Sequence, residues 1–159
     1  MKPLKSLTKF KKILIVDDEP YNLLGLKIML QQAIKGSFKA MDLKAEGDVD
    51  SEGQTLTRET SDIHKATNGQ EAVDAVVEAF QNGTYTYGVI FMDCSMPVMD
   101  GFEASDKIKN FFRLKKLPQP MIVAVTGHAE EEYIKKAWRY QMDELIPKPV
   151  NVEVLKDLL

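Results

Sequence analysis

Four short, unbroken apolar runs punctuate the chain: Ile13-Leu14-Ile15-Val16, Val89-Ile90-Phe91-Met92, Met121-Ile122-Val123-Ala124-Val125 and the weaker Leu145-Ile146. They do not alternate apolar with polar positions, so both faces of each run must be covered, the pattern of parallel strands between helix layers. A further strand, Ile63 to Thr67, is short and poorly signalled. Amphipathic stretches with helix-start chemistry separate the runs. Pro20 stands at an expected first helical position, where a missing N–H costs nothing. Asn68 precedes Glu71 by three residues and Asp100 precedes Glu103 by three, predicting two N-caps with reciprocal carboxylates. Strands alternating with helices predict an α/β fold, a doubly wound five-stranded parallel sheet with helices on both faces.

The rhythm breaks between Gly36 and Asp62. That segment holds seven acidic residues (Asp42, Glu46, Asp48, Asp50, Glu52, Glu59, Asp62) against three basic ones (Lys39, Lys44, Arg58). Its apolar residues keep no period and bury too little surface to order themselves. It reads as a flexible acidic insertion at about 36–62, between the first helix and the second strand. Residues 1–11 read as a linker or tail, and residues 12–159 as one domain carrying the insertion.

Composition narrows the setting. With 159 residues and 44% apolar content the chain can bury a core. Its 21 basic and 24 acidic residues give a net charge of −3, which argues against the broad basic surface that nucleic acid requires. A single cysteine excludes an internal disulfide and suits a reducing cytosol. No apolar run approaches the ~20 residues of a bilayer span. The start, MKPLKSLTKFKK, lacks the apolar stretch of a signal peptide. A cytoplasmic domain without direct membrane contact is expected.

In a parallel α/β sheet, ligands sit beyond the carboxyl ends of the strands. The first run here ends in Asp17-Asp18, the second in Asp93 and the third in Thr126, while Lys148 follows the last. Alone, an Asp-Asp pair is usually a solvated strand end, and Lys148 beside Pro149 a lysine at a turn. Together these residues fall in order at one sheet edge, giving three carboxylates, a hydroxyl and an ammonium one shared pocket. Three crowded carboxylates repel one another, and a divalent cation relieves the repulsion. Magnesium takes hard oxygen ligands and keeps several waters, so few protein groups are needed to hold it. With Lys148 and Thr126 facing a phosphoryl group, a carboxylate such as Asp93 can act as the nucleophile and form an acyl phosphate.

On these residues the chain resembles a two-component response-regulator receiver domain. The resemblance rests on Ile13-Leu14-Ile15-Val16-Asp17-Asp18-Glu19-Pro20, Ala66-Thr67-Asn68-Gly69-Gln70-Glu71-Ala72, Met92-Asp93-Cys94-Ser95-Met96-Pro97-Val98-Met99-Asp100-Gly101, Val125-Thr126-Gly127 and Lys148-Pro149. It implies a flavodoxin-like receiver fold with Asp93 as phosphoacceptor. Magnesium is then held by Asp18 and Asp93, by Asp17 largely through a water, and by the backbone carbonyl of Ser95. It also implies that Thr126 is the switch hydroxyl, that Lys148 pairs with phosphoryl oxygens, and that Pro97 and Gly101 shape the turn after the acceptor through their special φ preferences. Glu19-Pro20-Tyr21-Asn22 and the Met-Asp-Cys-Ser-Met-Pro run make it most similar to the receiver of a hybrid sensor histidine kinase. A kinase phosphohistidine is then the implied donor, a histidine-containing phosphotransfer protein the downstream partner, and slow autodephosphorylation the reset. The basic start and short final helix fit a domain excised from a longer chain.

Two readings stay open beside this switch. A degenerate receiver that only binds or dimerises is kept in view by Leu145, which stands where many members carry an aromatic that rotates with the threonine. Without that ring, the signal is expected to leave through a repacking of Gly127 to Tyr140. A phosphatase of the haloacid-dehalogenase kind wants a second aspartate two positions after the first, where Ser95 stands. His128, two residues after Thr126, either tunes autodephosphorylation or is a surface histidine with no kinetic role. Pro147 is tolerable if the last strand lies at the sheet edge, and Cys94 reads as a small core thiol.

Overall fold

Alternate side chains of a strand point to opposite faces of a sheet, so an unbroken apolar run feeds two cores at once. The computed structural model describes residues 12–42, 62–83, 87–128 and 130–159. Among these, five strands alternate with five helices: β1 (Lys12–Val16), α1 (Pro20–Asp42), β2 (Asp62–Ala66), α2 (Gly69–Gln81), β3 (Val89–Asp93), α3 (Gly101–Leu114), β4 (Met121–Thr126), α4 (Glu131–Arg139), β5 (Glu144–Pro147) and α5 (Val152–Leu158). The strands form one parallel sheet, as the apolar runs predicted, and its order is β2-β1-β3-β4-β5. This is the flavodoxin-like fold.

The period of two divides the core. Leu14, Val16, Ile90, Met92, Ile122 and Ala124 face one side, packing with Val76 of α2, Phe102 and Phe112 of α3 and Ala137 of α4. Ile13, Ile15, Val89, Phe91, Val123 and Val125 face the other, against Leu23, Leu26 and Leu30 of α1 and Leu155 and Leu158 of α5. Burying a side chain such as Phe91 or Leu30 stabilises the fold by roughly 1.5–3 kcal/mol.

Helix α1 begins at Pro20, as its chemistry required. The predicted caps form: Asn68 Oδ1 accepts from the Glu71 N–H at 2.9 Å and Asp100 Oδ1 from that of Glu103 at 2.8 Å. The Glu71 carboxylate turns back on the cap, with Thr67 and then Asn68 as hydrogen-bond donors that lower its pKa. Glu71 Oε2 accepts from the N–H of Thr67 at 2.7 Å, and Glu103 pairs with Lys107 at 2.9 Å. Pro147 does lie on an edge strand, where the ladder needs no N–H from it.

The acidic segment begins later than Gly36, because α1 continues through Asp42. A Cβ at Gly36 would touch the Lys156 side chain at 3.4 Å, so α5 flanks the helix beyond the point where its own pattern fades. The rest of that segment, residues 43–61, lies outside the described residues, as does the linker reading for 1–11.

One buried polar link has no counterpart in the sequence reading. Lys109, 4% exposed on α3, donates to Asp143 Oδ2 at 2.6 Å and to the Pro120 carbonyl at 3.0 Å. The same carboxylate oxygen accepts from the Ile122 N–H at 2.7 Å, so it ties α3, the start of β4 and the turn before β5 together. Asp143→Ala strips a buried ammonium of its counter-charge, and a loss on the order of 3 kcal/mol in urea denaturation is expected. An unchanged midpoint would show that the link contributes nothing.

Candidate functional site

The strand order reverses between β1 and β3, and in open parallel sheets that crevice is the ligand site. Asp17 follows β1 directly, held by its N–H donating to the Ala66 carbonyl at 3.2 Å, and Asp93 is the last residue of β3. Both are buried, at 5% and 6% exposure, while Asp18 is half-buried. One carboxylate oxygen from each of Asp17, Asp18 and Asp93 lies within 4.8 Å of the others.

Lys148 enters from beyond β5. Its backbone N–H donates to the Thr126 carbonyl at 2.7 Å, and the Lys148-Pro149 peptide bond is cis. Its Nζ donates to Asp17 Oδ2 at 2.8 Å and to Asp93 Oδ1 at 3.2 Å. Thr126 ends β4 at 2% exposure, and its Oγ1 accepts from the His128 N–H at 3.0 Å. Ser95 is exposed in the turn after Asp93. The fold therefore brings Asp17, Asp18, Asp93 and Lys148 together, with Thr126 on the neighbouring strand end and Ser95 at the rim.

The electrostatics are lopsided. Burial raises the Asp93 pKa above the ordinary carboxylate range; Lys148 pulls against it, and the charges of Asp17 and Asp18 push it further up. Burial alone would lower the Lys148 pKa, yet its hydrogen bond to Asp17 and the charges of Asp93 and Asp17 outweigh that and raise it. One ammonium thus faces three carboxylates. Three hard oxygen donors converging with too little positive charge suit a small divalent cation of the magnesium type.

The turn after Asp93 differs from its sequence reading in one respect. Val98, not Gly101, takes the left-handed conformation, at φ 70°, and it is exposed. Gly101 is required for space: a Cβ there would lie 2.0 Å from the Asp93 carbonyl oxygen. Burial pushes the Cys94 thiol up to about 12, so it packs as a protonated core group. His128, half exposed, stacks on Tyr133 of α4 with ring centroids 4.5 Å apart. Leu145 packs half-buried against the side of the core formed with α2 and α3. Sequence reasoning missed that Asn22 Nδ2 donates to Asp17 Oδ1 at 3.1 Å, although Asn22 stood in a motif it singled out.

Comparison with known proteins agrees with this geometry. The family model described as response regulator receiver domain matches residues 49–159. Hybrid signal transduction histidine kinase A of Dictyostelium discoideum is 31% identical over 97 residues, covering 61% of this chain; those residues are 4% of that much longer protein. Among solved structures, the Vibrio cholerae chemotaxis protein CheY4 superposes with a TM-score of 0.63 at 22% identity, covering 95% of this chain and 100% of that one. The receiver domain of the Arabidopsis thaliana histidine kinase CKI1, solved with Mg2+, does so with a TM-score of 0.59 at 24% identity, covering 91% and 87%. No helix among the described residues is long and apolar enough to cross a membrane. By its matched sequence and its fold, the chain belongs to the response regulator receiver domain family of two-component signalling.

Proposed function

We propose that the chain is a magnesium-dependent phosphoacceptor switch in a phosphorelay, with Asp93 as the residue that carries the phosphoryl group. The observation that carries this reading is the convergence of Lys148 Nζ, Asp17 and Asp93 at 2.8 and 3.2 Å beside Asp18. Asp17, Asp18, Asp93 and the Ser95 carbonyl would hold the cation, which when bound neutralises phosphoryl oxygens. An Asp93 carboxylate oxygen attacks phosphorus, the bond from phosphorus to the donor breaks, and the donor leaves with the electron pair. Lys148 holds a phosphoryl oxygen, and the Thr126 hydroxyl donates to another while still accepting from His128. Attack by water reverses the modification.

With Leu145 in place of a rotating aromatic, the signal leaves Thr126 through His128 and Tyr133. Tyr133 packs on Phe102 at 5.8 Å, and the Lys136 ammonium sits 4.1 Å from the same ring. Helix α4 is lightly seated, with Ala137 its one buried residue, so its packing can shift at modest cost.

The donor is a histidine kinase domain and the onward partner a histidine-containing phosphotransfer protein, in the cytoplasm. Any such partner must bring an imidazole to Asp93 and so must rest on the rim of the site. Tyr21, Leu24 and Ile28 supply an apolar stripe on α1 at helical spacing, exposed at 86%, 51% and 46%. Tyr21 also lines a cavity of about 500 Å³ with Asp17 and Lys148. The double substitution Tyr21→Ala with Leu24→Ala is expected to slow transfer from the phosphohistidine of a kinase domain about tenfold or more, as loss of interface anchors does. Labelling by acetyl phosphate should be unchanged, and an equal loss with both donors would contradict the docking role.

The test of the function is intact-mass measurement after incubation with magnesium and acetyl phosphate. A gain of one phosphoryl group, prevented by chelation of magnesium, is expected. An unmodified chain that does not turn over the donor would sink the reading, and steady turnover without an adduct would point to a phosphatase.

A further inference from the structure

Asp17 lies just past the end of β1, so the sheet does not fix its carboxylate, and the terminal torsion of an aspartate is soft. Two donors fix it instead. The Glu19 N–H donates to Oδ1 at 2.9 Å and Asn22 Nδ2 donates to the same oxygen at 3.1 Å. With Oδ1 so engaged, Oδ2 is the atom turned toward the pocket, where it takes Lys148 Nζ at 2.8 Å. Asn22 is the third residue of α1, its side chain is solvent-exposed, and asparagine is among the weaker helix formers. Neither core packing nor helix propensity explains an asparagine there.

We propose that Asn22 is a positioning residue for the divalent cation: its amide holds Asp17 Oδ1 and so keeps the carboxylate oriented within the cluster it forms with Asp18 and Asp93. The inference rests on the magnesium-dependent reading above, and it assigns Asn22 a role in cation affinity without contact to the cation. Groups that orient a metal ligand through a hydrogen bond typically govern 10- to 100-fold in affinity.

The test is a magnesium titration of the full chain followed by backbone amide shifts, comparing the parent with Asn22→Leu, Asn22→Ala and Asn22→Gln. Leucine and alanine delete the donor yet favour helix more than asparagine does, so α1 is preserved. Glutamine keeps the amide on a longer arm. Both deletions are expected to weaken magnesium binding about 10- to 100-fold, with glutamine restoring part of the loss. Melting curves in chelator should show each variant folded, which a defect confined to cation binding requires. A folded deletion that binds magnesium as tightly as the parent overturns the proposal, and so does a glutamine variant as weak as the deletions. A parent chain that does not titrate at all would instead overturn the metal-dependent reading itself.

Discussion

Gly101→Ala is expected to leave little folded protein. The first residue of α3 sits directly on the backbone of β3, and its N–H donates to the Cys94 carbonyl at 3.2 Å. A Cβ at that position would lie 2.0 Å from the Asp93 carbonyl oxygen, 2.9 Å from its carbonyl carbon and 2.8 Å from Met92 Cγ. The nearest of these contacts is with backbone, which cannot rotate away, so either α3 lifts or β3 bends. Lifting α3 exposes Phe102, Ile108 and Phe112, all almost fully buried. A cost of about 4 kcal/mol or more follows, a large share of the ~5–15 kcal/mol that holds a domain together. Urea denaturation followed by circular dichroism checks this, and a midpoint equal to the parent's would show that the contact relaxes freely. Any variant protein that does fold should carry a displaced Asp93 and accept phosphoryl groups poorly.

Asp93→Asn should separate chemistry from stability in opposite directions. Phosphoryl uptake should vanish, because an amide oxygen lacks the charge and nucleophilicity of a carboxylate. Metal-free stability at neutral pH should rise. Burial, Asp17 and Asp18 together raise the Asp93 pKa despite Lys148, so the folded state holds that proton more tightly than the unfolded chain does. The favourable contribution of a group with a raised pKa is complete below its unfolded value and is lost as pH climbs through the folded one. At neutral pH the ionised side chain is therefore a net cost that asparagine removes, and each ~1 kcal/mol recovered raises Tm by about 2–4 °C in a chain of this length. The advantage should shrink on acidification and close below the ordinary carboxylate pKa, where Asp93 is neutral as well. Magnesium should reverse the ranking. A ligand at 100 times its Kd stabilises the folded state by about 2.7 kcal/mol, and the asparagine variant, with one carboxylate fewer, should gain less. Calorimetric scans across pH, with chelator and with magnesium, would contradict this account if the variant melted below the parent in chelator at neutral pH.

Continuous apolar runs have one economical use, a parallel sheet covered on both faces, so four of the strands and the edge carrying Asp17, Asp93, Thr126 and Lys148 are readable from pattern, whereas β2, half-exposed and without an apolar run, is poorly signalled. The caps at Asn68 and Asp100 were local and equally legible. What escaped depends on contacts between distant segments. Gly36 looks like a helix end by propensity, yet α1 continues to Asp42 with α5 alongside it. Lys109 and Asp143 come from stretches whose polar residues look solvated, and only the fold joins them at 2.6 Å. Gly101 looked like a residue chosen for φ, whereas close approach of α3 to β3 explains it. Asn22 stood in a noted motif, but its bond to Asp17 across the β1–α1 turn is a three-dimensional fact.

The central claim is that Asp93, and no other residue, takes the phosphoryl group. Borohydride reduces an aspartyl phosphate to homoserine, so chain labelled with acetyl phosphate and magnesium, then reduced and digested, records the acceptor at residue resolution. The account predicts homoserine at position 93 alone, and none when magnesium is chelated. Homoserine at another aspartate, or a phosphorylated chain that yields no homoserine, would contradict it.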